Sequence, residues 1–475
     1  MACGTRTLPL VALSMLLAAC NNTTATSPFL AGVNGAASPA GPVGSAVLLR
    51  GVLFGDIQGT GRVLFTPGIG GVPHVATVAS PGDWSTGAIA TTVPAGSPGT
   101  YLVTVEANSG GLSNAVFFTV TPAVTFDPSA VTWTAGPDLP SALSGVAVAS
   151  AQVSGVGYVY AVGGAAAGGA PVKTVSYAAV DATGTIGTWT ATTDLPVALE
   201  FTTAVAATPS NSAVISTGFL YVLGGATSAA GVPVATVYRA PLNTNGSLGS
   251  WTTITPLPAP LRSVGALVLF GSMYVVGGAT TGNVPVATVY RAPVQVAGTI
   301  NSWLPQTGLP APRARFGFAS SGLYLYVFGG DSASRTPNDS VPSTAQVATI
   351  FYNRVNLATA DVTTSWTTAT TALPVARSAH TAVLRAGNVL LTGGVYSGAT
   401  TNTSEAAYAQ VNADGTVGSF TTAAPATSIN SLCGCSLFNQ GGTGYLAGNG
   451  TFHVLIVGGD NAATPGTPQQ KTFTY

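Results

Sequence analysis

Charged side chains are rare in this chain, and a group of them recurs at one place in a repeated pattern. The 475 residues include 14 Lys and Arg and 14 Asp and Glu. The recurring group lies in segments that open successive copies of the pattern, or directly after a Gly-Gly pair, and consists of Glu200, Arg262, Arg313, Arg315, Asp331 and Arg377. Guanidinium groups offer planar donors suited to carboxylate and phosphate. The set therefore predicts a site for an anionic sugar or for an acidic loop of a partner protein.

The arginines also have an interpretation that involves no ligand, in which they brace neighbouring elements by donating hydrogen bonds to backbone carbonyls. Acid–base catalysis needs paired groups in one pocket, and only Glu200 with His380 near the arginines supplies candidates. The three histidines, His74, His380 and His453, lack metal-ligand spacing. Neither a metal site nor a cofactor is therefore expected.

The segment Cys433-Gly434-Cys435 has two interpretations. On an inner strand both thiols point to one side, where they could bind a soft metal or form a strained disulfide. Two small buried side chains are the alternative, because free cysteine behaves as a small apolar residue.

Six Gly-Gly pairs divide the last three-quarters of the chain into copies of one unit. Each pair follows a short apolar run, which predicts a buried strand ended by glycines that permit a sharp exit. The pairs are Gly163-Gly164, Gly224-Gly225, Gly277-Gly278, Gly329-Gly330, Gly393-Gly394 and Gly458-Gly459. Their intervals of 52 to 65 residues indicate a repeat architecture.

Further landmarks surround each pair. Four copies carry a Tyr three residues before the first glycine, at Tyr160, Tyr221, Tyr274 and Tyr326, whereas Leu390 and Leu455 take that place later. A short strand follows, marked by Trp189, Trp251, Trp303, Trp366 or Phe420, and then a Leu-Pro step in four copies. This succession resembles the bacterial kelch repeat over residues 126–475. The resemblance implies a β-propeller of six four-stranded blades.

The two ends of the repeat region predict a seam. Trp133 and Leu139-Pro140 precede the first Gly-Gly pair, while the chain ends at Tyr475 without a Trp strand. We therefore expect the Trp133 strand to complete the C-terminal blade and so to close the ring, which removes open sheet edges.

The propeller resemblance gives the charged group a position. The connection that enters an inner strand lies on the same face of a blade as the loop between its second and third strands. The charged residues should therefore rim one mouth of the channel. The longest such loop, Asp331–Thr344, carries Arg335 and Asp339 and would overhang that mouth.

The N-terminus resembles a bacterial lipoprotein signal. Arg6 precedes the apolar stretch Leu8–Leu17, which leads into Leu17-Ala18-Ala19-Cys20. The resemblance implies that residues 1–19 are removed and that Cys20 is lipidated, with residues 20–27 as a tether. Asn21 favours the outer membrane or cell surface. An ordinary secretory signal with an incidental cysteine is the alternative.

Residues 28–121 show short runs with strand alternation, such as Tyr101–Val105 and Phe117–Val120, separated by turn residues. They predict a small sandwich. Their order resembles the IPT/TIG domain, an immunoglobulin-like module, and implies a spacer or binding role. The expected fold class is thus all-β: a small immunoglobulin-like sandwich followed by a six-bladed kelch propeller.

Composition narrows the functional classes. Charges balance, so no overall field favours nucleic acid, and no apolar run of membrane-spanning length follows the N-terminus. The favoured function is a surface-anchored, non-catalytic recognition or adhesion module whose propeller binds a glycan or a protein. A carbohydrate-active enzyme, such as an epimerase or hydrolase, and a structural component of the envelope or matrix are the alternatives.

Overall fold

A computed structural model describes most of the chain. The described residues are 27–34, 40–68, 71–121, 127–130, 132–207, 218–228, 231–295, 297–335, 344–356, 359–362, 364–397, 406–412, 414–423, 429, 432, 437–447, 451–461, 464–469 and 471–474. The predictions for residues 1–26, including Cys20, and those for Cys433, Cys435 and Asp339 lie outside these ranges. β-Strands dominate the described residues, with three short 3-10 helices, which confirms the all-β class.

The chain separates into two compact units, with the boundary between residues 122 and 123. The first unit contains one 3-10 helix, Pro81–Asp83, and nine strands: β1 (Phe29–Val33), β2 (Ala40–Pro42), β3 (Ala46–Val52), β4 (Arg62–Pro67), β5 (His74–Ala76), β6 (Trp84–Ser85), β7 (Ala88–Thr92), β8 (Gly99–Glu106) and β9 (Val116–Thr121). They form two sheets, ordered β1-β3-β7-β6 and β2-β9-β8-β4-β5. Side chains from both sheets, among them Leu49, Ile89, Val103 and Phe118, share one buried core.

The second unit begins with a 3-10 helix, Pro128–Ala130, and strand β10 (Thr134–Ala135). Sixteen strands and a 3-10 helix, Thr281–Asn283, follow. The strands are β11 (Ala147–Val153), β12 (Val156–Val162), β13 (Val175–Val180), β14 (Thr190–Ala191), β15 (Thr203–Ala207), β16 (Phe219–Leu223), β17 (Val237–Pro241), β18 (Thr252–Ile254), β19 (Gly265–Leu269), β20 (Ser272–Val276), β21 (Val289–Pro293), β22 (Leu304–Pro305), β23 (Gly317–Ser321), β24 (Tyr324–Phe328), β25 (Ile350–Arg354) and β26 (Thr367–Thr368).

Twelve more strands complete the unit. They are β27 (Arg377–Ser378), β28 (Thr381–Arg385), β29 (Asn388–Thr392), β30 (Val395–Tyr396), β31 (Ala406–Gln410), β32 (Thr421–Ala423), β33 (Leu437–Phe438), β34 (Gly441–Leu446), β35 (Phe452–Val457), β36 (Asp460–Asn461), β37 (Thr464–Pro468) and β38 (Thr472–Thr474). Small sheets form from β27-β30 and from β33-β36-β37.

Six antiparallel sheets of four strands dominate this unit, and each contains one Gly-Gly pair directly after its second strand. The first four sheets are β11-β12-β13-β14, β15-β16-β17-β18, β19-β20-β21-β22 and β23-β24-β25-β26. The fifth is β28-β29-β31-β32, and the sixth is β34-β35-β38-β10. The sixth sheet therefore combines three strands from the C-terminal end of the chain with one from the start of the unit.

The sixth sheet is joined by pairing of residues far apart in sequence. Thr134 pairs with Thr474 and Ala135 with Phe473, and the two threonine hydroxyls lie 2.9 Å apart. Lys471 and Asp138 form an exposed ion pair next to this junction, with 2.8 Å between Nζ and Oδ2.

The six sheets contact one another in a cycle. Their first strands are neighbours in the order β11, β15, β19, β23, β28, β34 and β11 again. Six buried apolar clusters fill the spaces between successive sheets, and the last of these clusters joins Leu455 of the sixth sheet to Val159 of the first. Burial of such side chains is the main source of stability, at about 1.5–3 kcal/mol for each large one.

The tyrosines before the Gly-Gly pairs fasten each sheet to the next. Each hydroxyl donates to a carbonyl in the turn between the third and fourth strands of the following sheet. The pairs are Tyr160 with Gly246, Tyr221 with Gly298, Tyr274 with Ala360, and Tyr326 with Gly415. Tyr445 does the same from the sixth sheet to Gly184 of the first, at 2.8 Å.

The tryptophans fasten sheets in the opposite direction. Each indole N–H donates to a carbonyl just after the fourth strand of the preceding sheet. The pairs are Trp189 with Pro137, Trp251 with Thr193, Trp303 with Thr255, and Trp366 with Thr307, at 2.9–3.3 Å. Phe420 has no N–H to donate, so the fifth sheet lacks this contact from its aromatic residue.

Candidate functional site

A ring of six backbone segments lies where the first strands begin. In every large sheet the residue two positions before the first strand has left-handed φ, between 49° and 58°. These residues are Gly145, Phe201, Ser263, Arg315, Ala379 and Asn439. Left-handed backbone is uncommon for non-glycine residues, so its recurrence at six equivalent positions marks a structural requirement.

Backbone hydrogen bonds link five of the six neighbouring pairs of ring residues from one sheet to the next. The N–H of each donor lies 2.7–3.2 Å from the carbonyl oxygen of its acceptor. The pairs, donor first, are Gly145 with Asn439, Phe201 with Gly145, Ser263 with Phe201, Ala379 with Arg315, and Asn439 with Ala379. These bonds draw the starts of the first strands together at this end of the space that the first strands surround.

The residue after each ring residue, here called the wedge residue, packs against the second glycine of the Gly-Gly pair in its own sheet, and in three sheets it also packs against the first glycine of the preceding sheet's pair. A Cβ atom on Gly277 would lie 2.8 Å from the Phe316 ring, and a Cβ on Gly393 would collide with Gln440. Val146 similarly lies against Gly458 of the sixth sheet. In these three cases the first glycine of the Gly-Gly pair therefore leaves room for the wedge residue of the next sheet, in addition to ending its strand.

All six predicted charged residues are buried beside this ring. Arg315 is the most exposed, at 9%, and the other five are between 2% and 3% exposed. Arg315 pairs with Asp331, with Nε and Nη2 each 2.6 Å from Oδ2. Arg262, Arg315, Asp331 and Arg335 line one cavity of about 10 Å³, which has room for roughly one water molecule.

Arg313 and Arg377 are not part of that cluster. The Arg313 guanidinium lies 4.6 Å from the Phe351 ring centroid and donates to the Pro312 carbonyl and to the Thr349 hydroxyl. The Arg377 guanidinium lies 4.4 Å from the ring centroid of Tyr396, its partner in the β27-β30 sheet. The Arg313 bond to a backbone carbonyl is of the kind that the bracing interpretation expects, whereas the Arg377 contact is to an aromatic ring.

Glu200 has an unusual environment. Its Oε2 atom has no hydrogen-bond partner among the described residues. Burial raises the pKa of Glu200 to about 7, Arg262 opposes this rise, and Asp460 adds to it. Burial also lowers the pKa of Arg262 to about 10, opposed by Glu200 and strengthened by Arg315. The acidic and basic groups beside the ring thus shift one another's pKa.

Asp460 also lies beside the ring, although it was not among the site residues predicted from the sequence. It is 1% exposed, and burial raises its pKa, an effect that the nearby Ser144 and Asn439 side chains oppose. A signal was present, because Asp460 directly follows the sixth Gly-Gly pair as Asp331 follows the fourth. Alignment of the copies on their glycines identifies the two as equivalent.

The histidines are separate from one another. His380 is a wedge residue, 7% exposed, and burial, with Arg377, lowers its pKa to about 3, so its imidazole is neutral near pH 7. His453 stacks on Tyr445 with 5.3 Å between ring centroids, whereas His74 lies in the first unit beside Tyr101. Of the two cavities described here, the larger one is lined by His380, and Glu200 lines neither.

A larger cavity of about 540 Å³ lies inside the cycle of first strands. Its lining comes from all six first strands with their wedge residues, and from Phe452. Hydroxyl groups recur along it, at Ser150, Thr203, Ser320 and Thr443. The ring stands at the end where the first strands begin, and Arg385, the last residue of β28, stands towards the other.

Comparison with known proteins adds no family assignment. No protein-family model matches the chain, and no curated protein matches it. Within the described ranges, no three His, Cys, Asp or Glu residues are grouped so as to hold a metal ion. Among the same residues, no helix has the length and apolar character needed to cross a membrane.

Proposed function

We propose that residues 126–475 form a six-bladed kelch-type β-propeller in a surface-anchored, non-catalytic recognition or adhesion protein. The cyclic contacts of six four-stranded sheets, the shared sixth sheet and the recurring Tyr and Trp contacts support this architecture. Residues 28–121 serve as an immunoglobulin-like spacer of the IPT/TIG type. Lipid on Cys20 anchors the protein at the outer membrane or cell surface.

The single observation that carries the recognition role is the cavity of about 540 Å³ inside the first strands. Small-molecule sites usually occupy roughly 300–1,000 Å³. Its hydroxyl groups and its wholly β framework suit a hydroxyl-rich ligand, so we favour a glycan over a protein partner. The buried residues Glu200, Arg262, Arg315 and Asp331 then belong to the framework beside the ring, and ligand contacts come from the cavity.

An enzymatic role has less support. A general acid and a general base must reach the same ligand, yet Glu200 lies beside the ring and does not line the large cavity. His380 does line it, but its low pKa leaves it neutral and weakly basic. A purely structural role has no specific observation in its favour.

The test begins with the Cys20→Ser variant of the whole chain, which we expect to leave the membrane fraction. This protein is then screened on a glycan array. Ser320→Trp, which fills the cavity, should abolish the strongest signal, whereas Thr253→Trp on the exposed outer strand β18 should not. Persistence of Cys20→Ser in the membrane fraction would exclude lipid anchoring. Equal signals from both tryptophan variants would exclude the cavity as the glycan site.

A further inference from the structure

The large cavity is almost free of charge. His380 and Arg385 are the two basic side chains among its described lining residues, and acidic ones are absent from that lining. Because the pKa of His380 is about 3, Arg385 carries the only charge on this lining at neutral pH. A single cation in neutral surroundings attracts one anionic group.

Arg385 is held in place by an aromatic ring. Its guanidinium carbon lies 5.6 Å from the Phe452 ring centroid, and no ion pair joins Arg385 to a described residue. Burial lowers the pKa of Arg385, which shows that water compensates its charge only in part. A carboxylate accepting two parallel hydrogen bonds would supply the missing compensation.

Phe452 takes this position because of Gly444. A Cβ atom at residue 444 would collide with the Phe452 ring, so the absence of a side chain makes room for it. Hydroxyl groups lie close by: Ser150 Oγ donates to the Gly444 carbonyl at 2.8 Å and lies 3.4 Å from the Thr443 hydroxyl. A guanidinium, an aromatic ring and hydroxyls are therefore placed around one part of the cavity.

We infer that Arg385 binds the carboxylate of an acidic sugar in this cavity, with the sugar hydroxyls directed towards Ser150 and Thr443. The hydrogen bonds of the ring draw the first strands together at the opposite end, so the ligand enters from the end at which β28 finishes. This inference rests on the proposed glycan-binding function and names the ligand class.

The experiment measures binding of glucuronic acid and glucose to the whole Cys20→Ser chain by titration calorimetry. Glucuronic acid should bind more tightly, and Arg385→Gln should weaken its binding by about 10-fold or more, since hydrogen bonds to charged groups are stronger than those between neutral groups. Arg385→Lys should retain part of the affinity, because it keeps the charge without the planar donors.

Arg239→Gln is the matched control. Arg239 also stacks on a ring, 4.6 Å from the Phe219 centroid, but it does not line the cavity. Its loss should leave glucuronic acid binding unchanged. Equal binding of the two sugars, no binding of either, or unchanged affinity in Arg385→Gln would overturn the inference. Neutral glycan signals on the array that survive Arg385→Gln would still support the recognition function.

Discussion

At the scale of single residues, the ring shows how one backbone conformation is imposed on very different side chains. Gly145 and Asn439 tolerate left-handed φ, but Phe201 and Arg315 adopt it at a cost of about 1–3 kcal/mol each. Hydrogen bonds between neighbouring sheets hold them there. The sequence could not predict this ring, because the six positions share a backbone conformation and not a residue type.

The charged residues near the ring make stability depend on pH. Burial raises the pKa of Glu200 to about 7 from 4.5, so the folded chain keeps a proton that the unfolded chain has lost. Stability therefore falls as the pH rises from 4.5 towards 7 and levels off above that range. A shift of this size corresponds to roughly 3 kcal/mol. We expect the Tm of the second unit to fall as the pH rises from about 4.5 to about 7, as followed by calorimetry.

Glu200→Gln should flatten this dependence, because the amide stays neutral at every pH in the range. A smaller slope should remain, since burial also raises the pKa of Asp460. Glu106→Gln, in the exposed ion pair with Arg62 of the first unit, should leave the slope unchanged. A Glu200→Gln slope as steep as the wild-type slope would contradict the assignment.

At the scale of elements, the tyrosine contacts explain which copies of the repeat depart from the pattern. Leu390 replaces Tyr in the fifth sheet, where the following sheet has no turn between its third and fourth strands, because β38 and β10 come from opposite ends of the unit. Leu390 instead packs in a cluster with Trp133. In the sixth sheet Leu455 replaces Tyr, and Tyr445 on the neighbouring strand supplies the hydroxyl.

These departures also show the limits of sequence reasoning. The Gly-Gly, Tyr and Trp spacings predicted the strands, because local periodicity determines them. The partners of Tyr445 and Leu390 depend on which sheet lies next in space. Proximity in sequence does not reveal which sheets are neighbours. For the same reason the sequence does not predict the contact between Arg385 and Phe452.

Tyr445→Phe should destabilise the second unit by about 1 kcal/mol or more, because it leaves the buried Gly184 carbonyl without this donor. Tyr160→Phe, which removes the same kind of bond to Gly246, should have a similar effect. Denaturant unfolding measures the difference. Tyr238 is buried, and its hydroxyl makes no such contact with a following turn among the described residues, so Tyr238→Phe should be nearly neutral. A Tyr445→Phe protein as stable as Tyr238→Phe would exclude the fastening role.

At the scale of the whole molecule, the proposed propeller depends on contacts that run around the full cycle. Each sheet has apolar faces that pack against its two neighbours. The cluster between the sixth and first sheets consists of buried apolar side chains, as the other clusters do. Loss of the junction in the sixth sheet would therefore expose two faces at once. Deletion of residues 128–138, which removes β10 and Trp133, should abolish cooperative unfolding of the second unit.

A disulfide tests the same junction in a protein that folds. Thr134 and Thr474 are paired and 340 residues apart, so Thr134→Cys with Thr474→Cys, in a background with Cys433→Ser and Cys435→Ser, would close a very long loop. Loop entropy predicts about 3 kcal/mol for a 15-residue loop and more for longer ones. Ser176→Cys with Ala191→Cys joins a paired site of the first sheet and is the short-loop control. Oxidation should raise the Tm of the junction variant by more than it raises the Tm of the control. If the junction opened before the sheets unfolded, its disulfide would raise the Tm only slightly. A rise in Tm equal to or smaller than that of the control would therefore show that the cycle does not unfold as one unit.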